Sequence, residues 1–135
     1  MFIEFQTKDD KAIYYNVSNI VFVGEMGETV SILFDDGTHA LLSDEYVAVV
    51  KKLIELSRTV DPCVYVQFMT KKNERIAFPI RRVFYILEQE TNTAIMFNDG
   101  TRIEVIDECE TVIKRIYSKL DIAVERPIAA EETDS

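Results

Sequence analysis

The stretch Ile32–Glu45, "ILFDDGTHALLSDE", returns sixty-three residues later as Ile95–Glu108, "IMFNDGTRIEVIDE". In each, an apolar segment meets Asp-Gly, a second apolar segment follows, and two acids close the stretch. Asp-Gly tolerates the positive φ that a tight twisted hairpin demands, so each stretch reads as a β-hairpin ending at a helix start. Outward from these hairpins, the same offset of 63 carries Ile3–Leu56 onto Val66–Lys119 without a gap, at 14 identities in 54 positions. Phe5 meets Phe68, Thr7 meets Thr70, Ile13 meets Ile76, Glu25 meets Glu88 and Val49 meets Val112. Turn chemistry and apolar periodicity stay in register together, which indicates an internal duplication.

Each copy reads as short strands followed by one helix. "FIEFQT" (from Phe2) and "YVQFMT" (from Tyr65) alternate apolar and polar, as half-buried strands do. "AIYYNV" (from Ala12) and "RIAFPI" (from Arg75) return as hairpin partners, and Pro79, lacking an N–H, marks a strand end or an edge. "NIVFVG" (from Asn19) and "RVFYIL" (from Arg82) are apolar at successive positions, which predicts strands covered on both faces. Tyr14, Tyr15, Phe22, Phe78, Phe84 and Tyr85 are accordingly expected in the core. In the second copy Cys109, Val112, Ile113, Ile116, Tyr117 and Leu120 make one helical stripe; Tyr46, Val49, Val50, Leu53 and Ile54 do so in the first.

The expected fold is α+β: a tandem repeat of two small units, each several short antiparallel strands followed by one C-terminal helix, packed as a pseudo-dimer. Residues 1–58 form unit 1, residues 64–121 form unit 2, and 122–135 form a mobile acidic tail. A unit of about 55 residues is marginal alone, so the two are expected to pack together in the symmetry of a homodimer.

Composition narrows the function. An apolar fraction of 47% beside 29% charged residues describes a globular chain. No apolar run is long enough for a membrane span and the N-terminus lacks signal-peptide features, so cytoplasmic residence is expected. Cys63 and Cys109 have no metal or redox spacing and read as reduced thiols. The net charge of −9 argues against nucleic acid as a partner. That average conceals an asymmetry: residues 1–56 hold 4 basic and 10 acidic groups, net −6, whereas residues 57–120 hold 10 and 9, net +1.

Little in the chain points to catalysis. His39 is the single histidine, which leaves no His-based metal site or Ser-His relay, and the four glycines fit no phosphate-loop fingerprint. Asp35, Asp36 and Asp99 belong to turns and lack the further oxygen ligands of a Ca²⁺ loop. No enzyme activity, cofactor or metal is expected. What distinguishes the second copy is charge. Arg81, Arg82 and Arg102 replace Ser18, Asn19 and His39, while Lys72 and Arg75 replace Asp9 and Ala12. Arginine suits bidentate recognition of carboxylate or phosphate, so these five residues are the candidate binding set. They would take either acids of the first copy or of a neighbouring subunit, or an outside anionic partner. The expected function is non-catalytic protein binding or self-association through the recharged copy. The alternative is sequestration of an anionic metabolite or nucleotide between the copies, as a phage-type inhibitor would do.

The run "NVSNIVFVGEMGETVSILFDDGTHALLSDEYVAVVKKL", from Asn16, carries Asn16 before the apolar strand, Thr29-Val30, Gly37 and Ser43 in one order. In this each half resembles the small flagellar proteins of the FlbD/SwrD kind, with a hairpin, an apolar strand, "T-V-I-x-L-x-x-G", a strand and a Ser/Glu-started helix. The second copy departs from that pattern, with Pro79 for Asn16, Asn92 for Thr29 and Ile106 for Ser43. The resemblance implies a non-enzymatic protein that acts with other components. A similar strand order opens LytTR-type DNA-binding domains.

Overall fold

The computed structural model describes residues 2–7, 9–59 and 64–124; the proposed acidic tail and Cys63 lie outside these, save for the last residues of the final helix. A hairpin of β1 (Phe2–Gln6) and β2 (Ala12–Asn16) leads through a 3-10 turn, Val17–Asn19, into β3 (Ile20–Met26). Then come β4 (Thr29–Phe34), β5 (His39–Leu42) and helix α1 (Tyr46–Thr59). The same order recurs: β6 (Tyr65–Met69), β7 (Arg75–Pro79), a 3-10 turn over Ile80–Arg82, β8 (Val83–Glu88), β9 (Thr93–Phe97), β10 (Arg102–Val105) and α2 (Cys109–Val124). The class is α+β with antiparallel strands, and no described helix is long and apolar enough to cross a membrane.

The turns form as their residues dictate. Gly37 sits at φ +90° and Gly100 at +95°, where a side chain would be strained. The Asp36 carboxylate accepts the Thr38 N–H at 3.0 Å and its hydroxyl at 2.7 Å, and Asp99 does the same for Thr101 at 3.0 and 2.8 Å. These donors hold the Asp36 carboxyl below its ordinary range, with the Thr38 hydroxyl the larger influence. The aspartates are turn anchors.

The strands make three sheets: β1-β2, a central β5-β4-β3-β7-β6, and β10-β9-β8. The central sheet lies between two cores. Ile20, Val23 and Ile32 pack with Ile3 and Phe5 of the first hairpin and Val49 and Leu53 of α1. Val21, Leu33, Phe68 and Phe78 pack with Ile95, Phe97 and Val105 of the third sheet and Val112 and Ile116 of α2. Pro79 ends β7 and takes the N-cap place of the 3-10 turn without a side-chain hydrogen bond, where Asn16 in the first half supplies one.

Two expectations fail. The halves are not related as a twofold pseudo-dimer, because the seam pairs β3 of one with β7 of the other, Val23 opposite Ala77 and Gly24 opposite Ile76. Unlike strands meet, so the contact is head-to-tail. Second, β3 is covered on both faces but β8 is not: Phe84 is 71% exposed, whereas its counterpart Val21 is fully buried. Tyr85, Tyr14 and Tyr117 are exposed as well. Val21 and Phe22, the counterparts of Phe84 and Tyr85, pack in or against the core of the second half, and nothing described occupies the equivalent place beyond β8. Asp44 and Glu45 stand at the start of α1, as the sequence indicated, and the Glu45 carbonyl accepts the Val49 N–H at 3.0 Å.

Candidate functional site

A groove of about 700 Å³ opens where the β6–β7 turn and β10 meet the uncovered part of the central sheet. Phe22, Ile76 and Ile103 give it an apolar floor. Lys71, Lys72, Arg75 and Arg102 surround that floor, with Glu25, Glu74 and Glu104 among them. The fold brings them together because Thr70, at the end of β6, bridges to Val105 of β10. The Lys71 N–H donates to the Glu104 carbonyl at 3.1 Å and the Ile106 N–H to the Met69 carbonyl at 3.0 Å. The β6–β7 turn is thereby held against β10.

The charges differ in how they are answered. Arg75 gives Glu25 two hydrogen bonds of 2.7 Å, its backbone N–H to Oε1 and its guanidinium to Oε2. This places β7 against β3 and holds the Glu25 carboxyl below its ordinary range, the guanidinium bond being the chief cause. The same guanidinium lies 4.7 Å from the centre of the Tyr46 ring. Burial pushes the Tyr46 phenol well above its usual value, and its hydroxyl donates to Gln67 Oε1 at 3.1 Å. Glu104 accepts Arg102 at 3.1 Å and Lys71 at 3.2 Å, and these two donors, Arg102 first, lower its carboxyl. Lys72 has no ion pair among the described residues and is exposed. His39, also exposed, sets Nδ1 3.2 Å from the Ser31 hydroxyl.

Of the five residues singled out from sequence, Lys72, Arg75 and Arg102 reach this groove. Arg81 and Arg82 do not; they sit on the second 3-10 turn. Arg82 straps the halves together, donating to Asp35 Oδ2 at 2.9 Å, to the Ile20 carbonyl at 3.2 Å and to the Ser18 carbonyl. Arg75 and Arg82 are thus answered by acids of the first half. Comparison of the two halves of the sequence missed Lys71 for a definite reason. It matches Lys8, so a search for charge differences passes over it. Among the described residues no three His, Cys, Asp or Glu side chains gather to hold a metal ion.

No family model matches the chain, and no curated protein matches it in sequence. The likeness to FlbD/SwrD proteins therefore falls. By structure the chain resembles the LytTr DNA-binding domain of a methyl-accepting/DNA response regulator from Bacillus cereus, with a TM-score of 0.56 and 8% identity. The match covers 85% of this chain and 95% of that one, so it spans both halves, whereas the flagellar resemblance described one half at a time. At that identity the likeness concerns the fold alone. It also corrects the exclusion of nucleic acid from net charge. A whole-chain average does not describe one face: this groove sets four cations beside three glutamates in a chain whose net charge is −9.

Proposed function

We propose that this chain is a non-catalytic cytoplasmic binding protein that holds an acidic, partly apolar segment of a protein partner in the groove between the β6–β7 turn and β10. The twice-occurring element order reads as a tandem duplication, with the second copy diverged toward binding. One observation carries the reading: an apolar floor of Phe22, Ile76 and Ile103 lies beneath Lys71, Lys72 and Arg102. Apolar side chains would be buried on such a floor while carboxylates meet the cations, and the already paired Glu104 favours a partner that exchanges with it over one that adds bare charge.

Duplex DNA is the second reading, favoured by the DNA-binding domain whose fold the chain resembles. Fluorescence anisotropy separates the two, with a labelled peptide alternating Leu and Glu and a labelled random-sequence duplex as probes. The protein reading expects saturable peptide binding that weakens about tenfold in Lys72→Glu/Arg102→Glu. Duplex binding with a steep loss on added salt would favour DNA instead. An unchanged peptide affinity in the double variant would remove the groove from the protein-binding role, and an unchanged duplex affinity would remove it from the DNA-binding one.

A further inference from the structure

The two cores exchange residues across the seam between the halves. Tyr65 and Ala77, from the second half, are 7% and 0% exposed in the first core. Val21 and Leu33, from the first half, are 0% and 5% exposed in the second core. Shifted by 63, their counterparts are Phe2, Tyr14, Phe84 and Met96. Phe2 is 62%, Tyr14 61% and Phe84 71% exposed, and Met96 is half-buried. What the internal seam buries, the two ends of the molecule leave bare. The backbone agrees, for β3 is paired on both sides, by β4 and β7, while among the described residues its counterpart β8 has only β9. Likewise β7 has β3 and β6, while among the described residues its counterpart β2 has only β1. Neither open edge carries the Lys, Pro or inward charge that usually protects one: β2 reads "AIYYN", and β8 reads "VFYILE" with its acid at the last position.

We infer that β8 of one chain takes β2 of a second copy, antiparallel, in the register that the molecule already uses between its own halves. Val23 opposite Ala77 and Gly24 opposite Ile76 become Ile86 opposite the partner's Tyr14 and Leu87 opposite the partner's Ile13. The third sheet grows to β10-β9-β8-β2-β1, the same five-strand order as the central sheet. Phe84 and Tyr85 then fall where Val21 and Phe22 fall internally, over the partner's Phe34. In the single chain that ring borders a cleft formed by Tyr14, Tyr15 and Asn19. Charge supports head-to-tail order over like ends, since the β8 half is net +1 and the β2 half net −6. The external contact lacks both internal straps: Glu25–Arg75 becomes Glu88–Ala12, and Arg82–Asp35 becomes Asn19–Asn98. It is therefore weaker than the seam and depends on concentration. Because unlike edges meet, each added copy exposes a fresh β8 and a fresh β2, giving open chains or a ring.

Sedimentation equilibrium of the intact protein tests this. The weight-average mass should rise past that of a dimer as concentration increases from low micromolar to near millimolar. Leu87→Glu closes β8, and Tyr14→Glu closes β2; both positions are exposed, so each variant should fold, as circular dichroism and melting will check. Each alone should remain monomeric. Their equimolar mixture should give twice the monomer mass and no more, because one usable β8 meets one usable β2. A parent that stays monomeric throughout would overturn the inference, as would a mixture that stays monomeric or either variant dimerising alone. The parent's mass decides the matter even where a variant fails to fold.

Discussion

Glu25 is fastened to a single neighbour by both its oxygens, and that neighbour belongs to the other half of the chain. Arg75 supplies its N–H and its guanidinium, each at 2.7 Å, and so seals the β3–β7 seam. The folded protein holds this carboxyl below its ordinary 4.5. The unfolded chain therefore takes up the proton first as pH falls, and the contribution of Glu25 is complete above about pH 4.5 and disappears as pH drops through the lowered value. Glu25→Gln should destabilise by about 1 kcal/mol at neutral pH, because the pair is partly exposed and its charge is screened. Urea unfolding at a series of pH values should show a smaller acid loss in the variant than in the parent. If the two curves fall in parallel, the carboxylate does not link the halves. At Gly37, φ of +90° makes a different demand. Gly37→Ala places a Cβ in a strained backbone, though with no atom within 4 Å to meet it, so a cost of about 1 kcal/mol is expected from conformation alone. Equal melting temperatures for parent and variant would contradict this.

At the scale of elements, the helical stripes are buried along most of their length, with Tyr117 of α2 left exposed, and the apolar strands diverge from one another. Val49 and Val112 occupy matching places on α1 and α2, each with no exposed surface. Val49→Ala and Val112→Ala should each cost about 2 kcal/mol, read from chemical denaturation midpoints. An unequal pair would mean that one helix packs loosely. The strands β3 and β8 present the contrasting case. Both are continuous apolar runs, yet one is interior and the other is an edge with Phe84, Tyr85 and Leu87 in solvent. An apolar run reports that a strand can be covered on both faces. Whether it is covered depends on what lies next to it in space.

For the whole molecule, the exchange of core residues sets cooperativity. Tyr65 and Ala77 complete the first core, and Val21 and Leu33 complete the second. Neither half can lose structure without opening the other, so thermal unfolding should be one transition by far- and near-ultraviolet circular dichroism together. Two separated transitions would show that the halves fold as independent units. A fragment of residues 1–58 loses the β7 partner of β3 together with Tyr65 and Ala77, leaving Val21 and Leu33 bare. It should be unfolded or self-associated, and a dispersed monomeric nuclear magnetic resonance spectrum would contradict that.

The sequence by itself determined the turns, the helices and the recurrence of one element order, because Asp-Gly chemistry and 3.6-residue periodicity are local in the chain. Gly37, Gly100 and the stripes around Val49 and Val112 were all legible for that reason. It also pointed to Lys72, Arg75 and Arg102, since a charge that differs between matched positions is visible in one dimension. Tertiary structure alone decided that Lys71 joins them and that Arg82 serves as a strap. Both outcomes depend on which strand lies across from which, and pairing partners at a separation of some fifty residues leave no periodic trace. The head-to-tail seam follows the same logic. Alternation states which face of a strand is apolar, but the edge that finds a partner is settled only when the ten described strands compete for their neighbours at once.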